Sequence, residues 1–75
     1  MTLDDFLEEL LDLLQRDDAI LPEMKLEDIE EWDSMARLSF MSFLDADFGV
    51  NISNDQLVAC ETVLDLIAFA KDKLL

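Results

Sequence analysis

Asp33 and Ser34 are the residues whose types and spacing point most directly to chemistry. A serine at a helix start holds its hydroxyl on a rigid element, beside backbone N–H donors that suit a phosphate or phosphodiester. No base accompanies this one. The chain has no histidine, which excludes Ser-His-Asp and Cys-His nucleophile arrangements. One cysteine, Cys60, and no histidine exclude a zinc constellation. A single glycine excludes a glycine-rich phosphate loop. The calcium loop, with spaced acidic ligands around a central glycine, is absent as well. Carboxylates are plentiful, but 75 residues leave little room for a water-excluding cleft. The chain is therefore expected not to be an enzyme, and Ser34 to be a group that a separate enzyme modifies. The other reading of the pair is a plain N-cap, since Asp and Ser are favoured there and contribute about 1 kcal/mol.

The elements that must position this pair follow from periodicity. Leu3, Phe6, Leu7, Leu10, Leu11, Leu13 and Leu14 recur at three- and four-residue steps, with Asp4, Asp5, Glu8, Glu9 and Asp12 opposite. This predicts an amphipathic helix from about Leu3 to Gln15, capped by Thr2 with Asp5 in a loose capping box. A long connection follows from Arg16 to about Trp32, where Pro22 disfavours continuous helix. Its Ile20, Leu21, Met24, Leu26 and Ile29 are expected to pack onto the core. A second helix opens at Asp33 or Ser34 and closes at Phe48, with Gly49 as its left-handed end. Leu38, Met41, Leu44 and Phe48 form its apolar stripe, which Met35, Phe40 and Phe43 widen. Arg37, Ser39, Ser42 and Asp45 are left for solvent. Ser53 or Asn54 caps a short third helix reaching about Cys60. Thr62, with Asp65 three residues on, caps a last helix that buries Val63, Leu66, Ile67, Ala70 and Leu74 and carries Lys71 and Lys73 near its end. The expectation is an all-α single domain over residues 1–75: three main helices, one short helix and a long first loop.

Composition agrees. The chain is 52% hydrophobic, with one glycine and one proline, few for a fold with many turns. Its net charge of −14 argues against nucleic acid and against anionic membrane surfaces. It favours partners with basic docking surfaces, or serves only to keep a small helical protein dissolved. One cysteine forms no internal disulfide, which fits a reducing, cytoplasmic setting. The N-terminus shows no signal-peptide pattern, and no apolar run approaches a membrane span of about 20 residues.

Three motifs carry a family resemblance. Trp32-Asp33-Ser34-Met35, then Phe48-Gly49-Val50-Asn51-Ile52, then Thr62-Val63-Leu64-Asp65-Leu66-Ile67 resemble, in order and spacing, the acyl carrier proteins. That family shows Asp-Ser-Leu, a helix ending near Phe-Gly-Ile/Val-x-Ile, and a Thr-Val-x-Asp segment opening the last helix. The likeness covers nearly the whole chain and implies an acyl-carrier-like bundle, monomeric and without membrane insertion. It implies that Ser34 carries 4′-phosphopantetheine, installed from coenzyme A by a phosphopantetheinyl transferase. Asp33 would present the site and the metal ion of that transfer, the chain holding no resident metal of its own. The arm's thiol would hold an acyl intermediate as a thioester for acyl-loading and acyl-processing enzymes. The second helix would be the recognition surface, through Trp32, Met35, Arg37, Leu38, Ser39 and Ser42. Phe40, Met41 and Ile67 read as core packing, with shelter for an acyl chain as the alternative.

The departures from the family pattern are informative. Housekeeping fatty-acid carriers show several acidic residues along the exposed face of that helix. Here the face reads Ala36, Arg37, Ser39 and Ser42, and 13 of the 19 carboxylates fall at or before Asp33. Met35 replaces the usual Leu, and Trp32 resembles specialised carriers. The resemblance thus implies a dedicated lipid, polyketide or other secondary pathway, not bulk fatty-acid biosynthesis. A peptidyl, aryl or D-alanyl carrier of the same fold is one alternative, and an unmodified acidic module for protein interaction is another. Trp32 reads as packed on the bundle or as flanking the arm. Cys60 reads as a small buried residue on the third helix.

Overall fold

The computed structural model describes Met1–Leu74. Four α-helices, two short 3-10 turns and an isolated bridge make up its regular structure, with no strand among the described residues. The protein is all-α.

Helix α1 spans Leu3–Leu14. Its capping box is complete: the Asp5 amide donates to Thr2 Oγ1 at 3.1 Å, and the Thr2 amide donates to Asp5 Oδ2 at 3.4 Å. The apolar stripe buries Phe6, Leu10 and Leu14, while Leu7, Leu11 and Leu13 flank the core. Leu3, expected in that stripe, is exposed at the first position of the helix. The helix ends one residue early, since Gln15 turns left-handed at φ 54°.

The long connection is tied down at both ends. Ile20, Leu26 and Ile29 are buried, and a 3-10 turn at Leu26–Asp28 presents Leu26 to the core. Leu21, also expected inside, is half exposed: the turn that bonds the Met24 amide to its carbonyl directs it outward. The extended stretch around Lys25 pairs with the segment entering the last helix. The Leu26 amide donates to the Glu61 carbonyl at 2.9 Å, and the Val63 and Leu64 amides donate to the Met24 and Pro22 carbonyls at 3.0 Å. The loop is thereby held as a strap through main-chain hydrogen bonds.

Helix α2 spans Ser34–Phe48 and ends at Gly49 with φ 67°, the left-handed closure expected there. It buries Ala36, Phe40 and Leu44 against α1, and Met41, Phe43 and Phe48 pack at the margin of the core. Met35 and Leu38 do not join the stripe; they are 77% and 65% exposed. The buried line runs through positions 36, 40 and 44, which rotates both of them outward. Arg37, assigned to solvent, is half-buried.

Helix α3 is Asn54–Val58, shorter than expected. The Cys60 amide already bonds the Leu57 carbonyl, and the chain then straightens to reach the strap. Ser53 and Gln56 form its capping box, with bonds of 2.8 and 3.2 Å. Helix α4 is Val63–Ala68, not a helix continuing to Leu74. Its last turn tightens to three-residue bonding, and a 3-10 turn carries Lys71–Lys73. Val63, Leu66, Ile67 and Ala70 are buried as expected, whereas Leu74 only flanks the core.

Candidate functional site

Asp33 and Ser34 divide the work at the start of α2. Asp33 is the N-cap: its backbone is extended, and its Oδ1 accepts from the Ala36 amide at 2.9 Å. Its carbonyl accepts the first helical bond, from the Arg37 amide at 3.0 Å. Ser34 is therefore the first helical residue and takes no part in the cap. It is exposed, and its hydroxyl has no hydrogen-bond partner among the described residues. The Ser34 and Met35 amides belong to the helical N–H groups that intrahelical bonding leaves free, so an acceptor on Ser34 Oγ meets donors at once.

Trp32 is half-buried, edge-on to Phe40 with ring centroids 5.8 Å apart at 73°. Packing on the bundle, the first of its two readings, describes it. The ring fixes the approach to Asp33 by wedging the end of the loop against α2. Glu31, one residue earlier, ties the same loop to the end of α1 through a 2.8 Å ion pair with Arg16. The Arg16 guanidinium bonded to Glu31 holds its carboxyl below the usual value, helped by a backbone hydrogen bond.

The predicted recognition residues separate into three directions. Met35 and Ser39 border a shallow groove with Asp33 and Ala36, against Leu13, Leu14, Gln15 and Glu31. Leu38 and Ser42 point outward and are exposed. Trp32 and Arg37 line a different groove, of about 450 Å³, with Leu26, Glu27, Ile29 and Glu30 of the loop and Leu57, Val58 and Cys60 of the α3 region. Sequence reasoning missed these partners of Arg37. No local pattern links positions 27–30 with 57–60; the strap that joins them is made of backbone hydrogen bonds. The Arg37 Nε is buried and has no acceptor among the described residues.

Cys60 is half-buried just beyond α3, with Sγ 3.4 Å from the Gln56 carbonyl. Burial pushes its thiol up, and the Asp65 carboxylate adds to the shift. It stays a thiol at neutral pH, which opposes a nucleophilic role. Asp65 accepts from the Glu61 and Thr62 amides at 2.8 and 3.1 Å, and these bonds hold its carboxyl below the usual range. Its work is to fix the turn into α4.

Among the described residues no group of three or more His, Cys, Asp or Glu is arranged to hold a metal ion, and no helix is long and apolar enough to cross a membrane. Compared with family models, with curated proteins and with solved structures, the chain matches none.

Proposed function

We infer that this protein is a carrier that holds intermediates as thioesters on a 4′-phosphopantetheine arm attached to Ser34. One observation supports this reading above the others. The capping bond at the start of α2 belongs to Asp33, so the Ser34 hydroxyl has no structural task there while remaining exposed at a helix N-terminus. A plain cap accounts for Asp33 and leaves Ser34 unexplained. The surroundings fit a phosphodiester: free helical amides beside Oγ, a rigid helix beneath it, and a loop edge fixed by Trp32.

The residues divide the roles. Ser34 Oγ is the anchor, and Asp33 orients the helix start and presents a carboxylate to the transferase's metal. The arm supplies a thiol at the end of a flexible tether, which raises the effective concentration of the carried group at partner enzymes. With no histidine, the chain brings no base to Ser34. Loading therefore falls to a phosphopantetheinyl transferase using coenzyme A, and later steps to partner enzymes. Met35 and Leu38, both exposed and apolar, are the residues of α2 best placed to meet them. The low acidity of this face favours a dedicated pathway over bulk fatty-acid elongation, in a cytoplasmic setting.

The test is an intact-mass measurement after incubation with coenzyme A, magnesium and a promiscuous phosphopantetheinyl transferase. A gain of one phosphopantetheine is expected, and none in Ser34→Ala. An unchanged mass for the parent chain overturns the carrier reading. A gain that survives Ser34→Ala overturns the site.

A further inference from the structure

The turn that leads into Ser34 is anchored by three residues. Ile29 is buried, and its carbonyl accepts from the Trp32 amide at 3.0 Å. Trp32 lies edge-on to Phe40 of α2. Glu31 reaches the other way, to Arg16 beyond the end of α1, with Oε1 and Nη1 2.8 Å apart. The Asp33 amide donates to the Glu31 carbonyl at 3.0 Å, so a shift of Glu31 passes directly to the residue that caps α2. Stability does not explain this tie. The chain has 19 Asp and Glu and five Lys and Arg, yet this is the one ion pair among the described residues. Partly exposed pairs add little to folding. The pair also depends on an unfavourable turn. Gln15, just before Arg16, is the one non-glycine residue among those described with a left-handed backbone, at φ 54°. That turn lets the Arg16 amide bond back to the Leu11 carbonyl at 3.2 Å and carries the chain across the end of α1. Strain of this kind is kept where a site needs a fixed geometry. Gln15, Glu31, Asp33 and Met35 border the same groove, and the last two flank Ser34.

Resting on the carrier reading, we propose that Arg16 and Glu31 are positioning residues for the loading of Ser34. Their ion pair locks the turn at residues 31–33, so that Ser34 Oγ is held in one place when the transferase docks. In loading, Ser34 Oγ forms a bond to the phosphorus that carries the pantetheine arm. The bond from that phosphorus to the adenosine bisphosphate of coenzyme A breaks, and the hydroxyl proton passes to a base of the transferase. Such a displacement is sensitive to where the attacking oxygen lies, and a pre-set serine spares the complex the entropy of ordering it. Neither Arg16 nor Glu31 touches the reacting atoms. Their effect falls on the chemical step and not on docking, which Met35 and Leu38 serve.

The experiment measures loading of the full chain by the promiscuous transferase with coenzyme A and magnesium, as kcat and as KM for the carrier. It compares the parent with Arg16→Gln, Glu31→Gln, the double variant, Arg16→Lys and Glu30→Gln. Each single loss of the pair is expected to lower kcat about fivefold, the upper end of what a partly exposed ion pair holds in place, with KM unchanged. The double variant is expected to fall no further than either single one, as for two residues that act as a unit. Arg16→Lys keeps a cation at the site and is expected to recover most of the parent kcat. Glu30→Gln removes a neighbouring charge that makes no ion pair among the described residues, and is expected to match the parent. Parent kcat in both single variants, losses that add in the double one, or a raised KM at constant kcat overturn the proposal and leave the carrier reading standing. An equal loss in Glu30→Gln and Glu31→Gln overturns it as well, because net charge then accounts for the effect. No loading of the parent chain overturns both.

Discussion

Helices α1 and α2 lie against each other and end alike, yet they use their outer faces differently. The outer face of α1 is carboxylate after carboxylate: Asp4, Asp5, Glu8, Glu9 and Asp12. The outer face of α2, up to Asp45, carries Met35, Leu38, Ser39 and Ser42. Folding explains the first face, since a sharply amphipathic helix needs polar residues where it meets water. It does not explain the second. Isolated exposed apolar residues are ordinary, but Met35 and Leu38 lie one turn apart beside Ser34. On the carrier reading proposed above, this apolar pair beside Ser34 is the surface offered to partner enzymes.

That contrast is sharpest in a pair of measurements. Phe6→Ala removes the ring at the centre of the α1–α2 contact and is expected to destabilise the fold by about 3–5 kcal/mol, read by chemical denaturation. Met35→Gln combined with Leu38→Gln removes comparable apolar surface from the outside and is expected to change stability by no more than about 0.5 kcal/mol. The same double change is expected to lower transferase kcat/KM about tenfold, as the loss of an interface anchor does. A large stability loss in the double variant breaks the comparison, because it makes the pair part of the core.

The two helix ends give a second, smaller contrast. Both C-terminal residues are left-handed, Gly49 at φ 67° and Gln15 at φ 54°. Glycine adopts this conformation freely, whereas a residue with a Cβ pays about 1 kcal/mol. Nothing lies within 4 Å of a Cβ added at Gly49, so backbone conformation alone sets the effect there. Gly49→Ala is expected to lower stability by about 1 kcal/mol. Gln15→Gly is expected to raise it by somewhat less, because glycine also gains freedom in the unfolded chain. Melting curves of the two variants should move in opposite directions.

The same two helices show what the sequence could disclose. On α1, charge and hydrophobicity separate so strongly that the apolar face holding Phe6, Leu10 and Leu14 is legible, although spacing does not tell these three buried residues from Leu3, Leu7, Leu11 and Leu13 beside them. On α2, apolar residues surround the axis, and the stripe chosen from spacing was rotated from the true one, leaving Met35 and Leu38 on the wrong side. Only packing against α1 selects Ala36, Phe40 and Leu44. Asp33 and Ser34 were legible as a helix start, but which of them caps depends on backbone angles that two letters do not encode. The groove at Arg37 was illegible for a deeper reason. It exists because the strap between positions 22–26 and 61–64 is bonded through main-chain groups, to which side-chain patterns are blind.

The smallest expected effect concerns the two carboxylates that hold the loop between these helices in place. Glu31 bonds Arg16 at the end of α1, and Asp65 accepts two amides where the strap turns into α4. Both carboxyls are held below their ordinary values of 4.5 and 3.8. A carboxyl with a depressed value in the folded chain binds protons more readily when unfolded, so protonation favours unfolding. The stabilisation is fully present above the unfolded value and is lost as pH falls through the folded one. Repulsion among the many other carboxylates of this chain runs the other way, easing as they protonate, so the bare pH profile mixes two opposing slopes. Comparison with Glu31→Gln and Asp65→Asn separates them. The stability difference between parent and each variant is expected to shrink as pH drops from about 5 to about 3. A constant difference across that range means that the two carboxylates do not tether the loop through their charge, and that the apolar contacts of Ile20, Leu26 and Ile29 with the strap's main-chain bonds hold it instead.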